Sequence, residues 1–161
     1  SLGVSHQWTK CPRTAGRTGM QRRSDLSERA VTSGAHHIGL TVPNLSETKA
    51  FFIDILGFQQ VGEKPDYPAA FVSDGTVMIT LWQAKEPANA APFDRKNVIG
   101  LHHFALKIDR QDALDALYAT LSETPGVEIE FAPESLGGGA TRHMMCTIPG
   151  GIRTEFIALS A

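Results

Sequence analysis

The sequence predicts an α+β fold in which two βαβββ modules, related by a pseudo-twofold axis, form one cupped mixed sheet. The phrase at residues 36–42 (HHIGLTV) returns 66 residues later at 102–108 (HHFALKI). A second echo relates residues 75–80 (GTVMIT) to residues 150–155 (GGIRTE) without a gap. An internal repeat of this length indicates two copies of one supersecondary unit. Two such units bury their apolar faces most economically around a shared core.

The first module is assigned to residues 35–84. Its opening strand, residues 38–42, has a large aliphatic side chain at every second position, which is typical of a half-buried strand. Asn44 then offers a helix N-cap, with Glu47 as its capping-box partner, and Gly57 supplies a C-terminal stop. Three further strands are predicted between proline and glycine turns: residues 58–61, 69–73 and 77–82.

The second module, residues 99–161, repeats this order after a linker at residues 85–98 that is rich in alanine, proline and charge. Residues 101–108 are the predicted opening strand, and Asp109 is expected to cap the helix that follows. A proline–glycine pair ends that helix. Three strands complete the module: residues 127–131, 142–147 and 152–159.

The first 34 residues differ in composition from the rest of the chain. They carry six Lys or Arg against two Asp or Glu and show little apolar periodicity. We therefore expect a flexible basic N-terminal extension. An organelle transit peptide is the alternative interpretation of such an Arg-rich start.

Bulk composition narrows the classes of function. A chain of 161 residues with 42% hydrophobic and 20% charged side chains fits one globular domain. The net charge of −2 gives no reason to expect a nucleic-acid partner, and no apolar run is long enough for a membrane helix. The two cysteines lack CxxC spacing, so we expect no disulfide framework and a reducing, cytoplasmic location.

Three potential metal ligands occupy repeat-related strand positions. His37 shares its strand face with Gly39 and Thr41, and His103 stands at the equivalent place in the second module. Glu155 lies on the last strand, on the face opposite its apolar neighbours. Two imidazoles and one carboxylate on rigid strands leave coordination positions open for water and substrate. The sequence thus predicts one catalytic divalent metal ion, with Fe, Zn, Ni, Mn and Co all left open.

Four stretches resemble a known superfamily: residues 37–45 (HIGLTVPNL), 56–58 (LGF), 100–106 (GLHHFAL) and 149–156 (PGGIRTEF). They are similar to the vicinal oxygen chelate proteins, which include glyoxalase I, methylmalonyl-CoA epimerase, extradiol dioxygenases, fosfomycin-resistance enzymes and bleomycin-resistance proteins. The resemblance covers about residues 35–160. It implies paired βαβββ modules that form a cup around a divalent metal in a homodimer, with a small-molecule substrate.

Carried over by position, the resemblance places His37, His103 and Glu155 on the metal-ligand sites. The fourth family position, an acid in glyoxalase I and a glutamine in the epimerase, is Thr80 here. Glu155 is then the remaining candidate base at the metal. The expected activity is lyase or isomerase chemistry of the glyoxalase or epimerase kind. Whether the site forms within one chain or between two is left open.

Two other activities remain as alternatives. An Fe(II) extradiol dioxygenase keeps a His-His-Glu set, and His143 can supply the acid–base histidine of that class. Tyr118, however, lies on the predicted helix and no tyrosine follows it. A metal-free binding protein of the bleomycin-resistance type is the third alternative, and the presence of the ligand set argues against it.

Four further side chains are predicted to line the substrate pocket: Met78, Thr80, Trp82 and Arg153. Plain core packing is the alternative for Met78 and Trp82. Arg153 is expected either to hold an anionic substrate group or to pair with Glu155. His143 is a candidate for acid–base or substrate contact, with a packing role as the alternative.

Overall fold

The computed structural model describes residues 30–160, and from residue 36 onward the chain forms one compact unit. The first sheet contains β1 (His37–Val42), β2 (Gln59–Lys64), β3 (Ala69–Ser73) and β4 (Met78–Gln83) in the order β1-β4-β3-β2. The second sheet contains β5 (Phe104–Ile108), β6 (Glu128–Ser135), β7 (Arg142–Thr147) and β8 (Arg153–Ala158) in the order β5-β8-β7-β6. The predicted pair of βαβββ modules is confirmed. Most of the predicted basic extension, residues 1–29, lies outside the described residues.

The two sheets share one hydrogen-bonding scheme. In each, the first strand of the module runs parallel to the last, and the other pairings are antiparallel. The register pairs Gly39 with Thr80 in the first sheet and Ala105 with Glu155 in the second. These are the positions that the two sequence echoes make equivalent, so the repeat extends to individual residues.

The first helix begins as the sequence predicts and ends differently. Asn44 is the N-cap of α1 (Leu45–Ala50), and its side-chain oxygen accepts a hydrogen bond from the Glu47 amide at 3.2 Å. The helix then widens into one π-helical turn, Phe51–Ile55, which buries Phe51 and Phe52. No local sequence signal predicts that widening, because it is the tertiary core that holds these two rings.

The second helix corrects the predicted cap. α2 (Gln111–Ser122) has Arg110 at its N-cap, without a side-chain capping bond, and Asp109 stands one residue too early. The first-turn acid Asp112 instead accepts hydrogen bonds from Arg110 and from the Ala113 amide. A carboxylate there complements the positive end of the helix dipole without capping it.

Strand ends also shift by a few residues. β5 begins at Phe104 instead of residue 101, so His103 lies directly before the strand. β6 runs to Ser135, past the predicted end at residue 131, because two register shifts carry its pairing with β7 onward. Such bulges are not visible in the apolar pattern of the sequence.

One apolar core joins the two modules. Side chains from both helices and both sheets form a single buried cluster, whose largest fully buried members include Phe52, Ile79, Leu114, Leu121 and Phe156. The fully buried Thr48 hydroxyl on α1 donates to the Pro149 carbonyl of the second module at 2.9 Å. No helix among the described residues is both long and apolar enough to cross a membrane.

The turn that receives Thr48 requires glycine. Gly150 has a φ of +108°, and a Cβ there would stand 3.0 Å from the Thr48 hydroxyl oxygen. A side chain would therefore both strain the backbone and push α1 away. This turn directly precedes β8, the strand that carries Glu155.

Candidate metal and substrate site

Three of the predicted site residues meet on one face of the second sheet. His103 Nε2 lies 3.3 Å from Glu155 Oε2, and His143 Nδ1 lies 2.6 Å from Glu155 Oε1. The Glu155 and His143 side chains are 12% and 13% exposed, and that of His103 is 33% exposed. The carboxylate is therefore sheltered and engaged at both oxygens, with one imidazole at the open rim.

Strand order explains why these three residues meet. β8 lies between β5 and β7, so Glu155 has a neighbouring strand on each side. His103 immediately precedes β5, where Ala105 pairs with Glu155, and His143 lies on β7, where Met145 pairs with Glu155. Side chains two residues apart on a strand share a face, so both histidines project on the same side as the carboxylate.

The hydrogen bond to Glu155 fixes the orientation of His143. An ionised carboxylate only accepts hydrogen bonds, so Nδ1 of His143 carries the proton and donates it to Glu155. The other ring nitrogen, Nε2, stands 3.9 Å from Glu134, beyond hydrogen-bond reach. With that tautomer, Nε2 is an acceptor nitrogen that has no hydrogen-bond partner among residues 30–160.

The donor pair His103 and Glu155 fits a metal ion. Two ligands bound to one ion at about 2.1 Å, with angles between 90° and 109°, lie about 3.0–3.4 Å apart. The 3.3 Å between His103 Nε2 and Glu155 Oε2 falls in that range. The 2.6 Å between His143 and Glu155 is shorter and is a hydrogen bond. Imidazole with carboxylate is a donor set that suits first-row divalent metals.

His37 does not join this pair within one chain. Among residues 30–160, no three His, Cys, Asp or Glu side chains converge in a way that holds a metal ion. Instead, His37 Nδ1 contacts His36 Nδ1 at 2.9 Å, and His102 and His103 repeat that contact at 2.8 Å. In both pairs the rings are nearly perpendicular. The repeat thus extends to the histidine pairs, although their surroundings differ.

The first module presents a mostly apolar face at the equivalent place. His37, Gly39 and Thr41 on β1 pair with Met78, Thr80 and Trp82 on β4. The Trp82 indole N–H donates to the buried Thr80 hydroxyl at 3.0 Å, and the Trp82 ring packs edge-on against Tyr67. Among residues 30–160, no carboxylate pairs with His37.

Gly39 makes this packing possible. A Cβ at residue 39 would lie 3.2 Å from the Thr80 hydroxyl oxygen and 3.7 Å from the indole nitrogen of Trp82. The missing side chain lets both groups approach the β1 backbone. Its counterpart in the second module is Ala105, which faces Glu155 across the strands.

Arg153 has a partner that the sequence does not predict. Its guanidinium forms a two-point ion pair with Glu130, at 2.7 and 2.9 Å, and it does not pair with Glu155. Arg95 lies in the linker at residues 85–98, called the inter-module segment below, and donates to the same Glu130 carboxylate at 2.7 Å. Alternation along β6 marks Glu130 as polar-facing, but Glu130 lies at a bulge and reaches Arg153 across the intervening β7, and neither feature leaves a sequence signal.

This ion network sets the local electrostatics. The two guanidinium groups, Arg153 foremost, lower the pKa of Glu130 to about 2. Glu130 in turn raises the pKa of Arg153. The pKa of the neighbouring His102 is lowered by desolvation and then by the positive charge of Arg153. The end of the second sheet next to the histidine pair therefore carries a positive field.

Two other features lie apart from this cluster. Cys146 is fully buried, and burial raises the pKa of its thiol to about 12, so it is not a nucleophile at neutral pH. A cavity of about 710 Å³ lies between β1, the inter-module segment and the turn before β8. It is lined mainly by apolar side chains such as Pro43, Phe93, Leu101 and Ile152.

Comparison with known proteins now identifies the class. A family model described as the Glyoxalase/Bleomycin resistance protein/Dioxygenase superfamily matches residues 34–156, and the chain belongs to that superfamily. A catechol-2,3-dioxygenase of Bacillus subtilis (strain 168) is 32% identical over 121 residues. That match covers 73% of this chain but only 40% of the length of the relative.

Solved structures share the fold at lower sequence identity. A glyoxylase/bleomycin resistance protein/dioxygenase domain from Frankia sp. EAN1pec superposes with a TM-score of 0.68 at 21% identity, covering 80% of this chain and 99% of that one. A lactoylglutathione lyase from Agrobacterium tumefaciens gives a TM-score of 0.59 at 18% identity, covering 80% and 96%. At these identities the likeness establishes the fold alone.

Proposed function

We propose that this protein is a divalent-metal-dependent enzyme that chelates two neighbouring oxygens of a small substrate and moves a proton on it, as lyases and isomerases do. The proposed metal ligands are His37, His103 and Glu155. The observation that carries the proposal is the arrangement around Glu155, with His103 at one oxygen and His143 at the other. Membership of the superfamily and the fitting spacing of His103 and Glu155 support it.

We further propose that two copies of the chain share the site, with His37 from one copy and the His103–Glu155 pair from the other. Two observations support this. His37 does not converge with the pair within residues 30–160. The strands that bear or follow the two histidines, β1 and β5, are both edge strands of the described sheets, so each offers a free backbone edge to a second copy.

The chemistry assigned to the chain follows from these contacts. A bound divalent ion supplies Lewis-acid polarisation of the substrate oxygens. Both Glu155 oxygens are already engaged, so the role of proton carrier passes from Glu155 to His143. Glu155 holds Nδ1–H of His143, which leaves Nε2 to take a proton from the substrate and return it. Met78 and Trp82 form the apolar wall that excludes water.

Metal content tests the proposal. The full chain, purified without chelator and reconstituted with Fe, Zn, Ni, Mn or Co, is compared by mass spectrometry with His37→Ala, His103→Ala and Glu155→Gln. We expect about one ion per chain in the parent and a loss in all three variants. His102→Ala, which changes the neighbouring ring, serves as the matched control. No metal in the folded parent would contradict the proposal and favour a metal-free binding protein.

Fe(II)-dependent ring cleavage is the second candidate, favoured by the identity with a catechol-2,3-dioxygenase. Against it, Tyr118 packs against the apolar core from α2 and does not reach the face that carries Glu155. Oxygen uptake by the Fe(II)-loaded protein with catechol separates the two candidates. Uptake above a Glu155→Gln control would favour ring cleavage, and its absence would favour the proton-transfer chemistry.

A further inference from the structure

We propose that a small cavity lined by Arg153 on the second sheet is a subsite for an anionic group, a carboxylate or a phosphate, on the substrate of this enzyme. This inference rests on the proposed function, because the bound anion is part of a substrate only if the protein is an enzyme. The cavity, of about 230 Å³, is bounded by the inter-module segment on one side and by the face of the second sheet on the other. Arg95, Lys96 and Arg153 line it together with Glu130.

Arg153, which lines this cavity, has one guanidinium nitrogen that Glu130 does not use. Glu130 accepts from Nε and Nη2 of Arg153, which leaves Nη1 without a partner among residues 30–160. Arg153 as a whole is only 8% exposed, yet none of its nitrogens is both sealed from solvent and unbonded. Nη1 is therefore accessible to solvent, and Arg153 is one of the residues that line the cavity. A buried guanidinium held by one carboxylate presents its remaining donors in a fixed direction.

The charges around the cavity favour an anion. One carboxylate, Glu130, serves two guanidinium groups, since Oε1 accepts from both Arg153 and Arg95. Lys96 adds a third cation, and Asp94 a second acid whose Oδ1 accepts from the Lys96 amide. The cavity is thus lined by three cations and two anions, with an excess of positive charge.

The position of the cavity defines the ligand it suits. Arg153 precedes Glu155 by two residues on β8 and shares its face. Residues two apart on a strand are separated by about 7 Å. A substrate with chelating oxygens at Glu155 would therefore carry its anionic group about 7 Å away, toward Arg153. Small hydroxy or keto compounds with a remote carboxylate or phosphate fit this description.

The competing explanation is that the ion network only fastens the inter-module segment to the sheet. The two explanations predict different effects of one substitution on the affinity for anions. If the cavity binds anions, Glu130→Gln frees both guanidinium groups and tightens binding. If the network is a fastener, the same change loosens Arg95 and Arg153 and gives no gain in anion binding.

The test titrates the metal-free full chain with inorganic phosphate and, separately, with acetate, and follows by NMR the backbone amide resonances of Lys96 and Thr147, which line the cavity and are present in every variant. We expect saturable binding, weakened roughly tenfold or more by Arg153→Gln and tightened by Glu130→Gln. Arg142→Gln removes an arginine paired with Asp115 outside the cavity and should change nothing. The better of the two probes identifies the anionic group.

Three results would overturn the inference: no saturable binding to the parent chain, unchanged binding in Arg153→Gln, or no tightening in Glu130→Gln. Should Arg153→Gln fail to fold, Arg95→Gln removes the second guanidinium, whose side chain is 31% exposed, in its place. His103→Ala separates this outcome from the proposed function, because it removes a metal ligand and should leave phosphate binding intact. The anion subsite and the metal site can thus fail independently.

Discussion

The two modules share backbone geometry and differ in chemistry. Gly39 pairs with Thr80 in the first module as Ala105 pairs with Glu155 in the second, and each opening histidine contacts the histidine before it. Yet the second module places Glu155 beside its histidine and His143 on the other side of that carboxylate, whereas in the first module the register pairs His37 with Met78. The second module thus carries the cluster of ionisable side chains and is called the polar half, and the first module, which carries Met78 and Trp82 beside His37, is called the apolar half.

The division has a physical basis in what each strand face can bury. Glu155 is sheltered only because His103 and His143 satisfy its two oxygens, since a buried unpaired carboxylate is costly. Thr80 is more deeply buried than Glu155, but one hydroxyl needs only the Trp82 indole as a partner. The residue at each equivalent position thus matches the number of partners that its neighbours supply.

The largest expected effect tests whether the two modules also share one core. Phe52→Ala in the first module and Leu121→Ala in the second each empty a fully buried site in the single apolar cluster. Phe52→Ala should lower the free energy of unfolding by about 3–5 kcal/mol, and Leu121→Ala should lower it by about 2–5 kcal/mol. Chemical denaturation should show one cooperative transition in the parent and in both variants. A separate early transition confined to the altered module would contradict a common core.

The next effect concerns the polar half alone. His143→Asn places an amide N–H near the position of Nδ1 and so keeps a hydrogen bond to Glu155, but it removes the nitrogen proposed to carry the proton. We expect turnover to fall about 100-fold while metal content stays near that of the parent. Steady-state kinetics with parallel metal analysis checks both. Loss of metal with unchanged turnover per bound ion would instead make His143 a positioning residue for Glu155.

Much of this asymmetry was accessible to sequence reasoning. The repeat made His37 equivalent to His103 and Thr80 equivalent to Glu155, and the register of the two sheets matches both equivalences. Alternation within strands fails where bulges intervene, and for that reason the sequence did not pair Glu130 with Arg153. It also did not join His143 to Glu155, because diagonal contacts across strands depend on side-chain rotamers as well as on register.

Acid pH provides a smaller effect, again confined to the second module. The pKa of Glu130 is lowered to about 2 by its arginines, so its contribution to stability is present above its usual pKa and lost as the pH falls toward 2. In Glu130→Gln, stability should fall by about 1 kcal/mol less over that pH range, after allowance for the partial exposure of the carboxylate. Thermal unfolding between pH 5 and pH 2 measures the difference. If the melting temperatures of parent and variant fell in parallel with pH, the ion network would make no pH-dependent contribution to stability, contrary to this prediction.

The smallest effect belongs to the apolar half. Thr80→Val removes the hydroxyl that accepts from Trp82 and should cost about 1 kcal/mol of folding stability. Metal content should not change, in contrast to Glu155→Gln at the equivalent position of the other module. Calorimetry and metal analysis of the two variants side by side check this. Metal loss in Thr80→Val would show that the first module contributes more than His37.

A mixed-variant experiment tests the division between modules most directly. Differently tagged His37→Ala and Glu155→Gln chains are unfolded together, refolded and analysed for metal, with each variant alone as control. If two copies share each site, a hybrid dimer keeps one intact site of two, so a random mixture should recover about one quarter of the parent metal content. Recovery of no metal beyond the single variants, in hybrids shown to form, would contradict the account and place all three ligands within one chain.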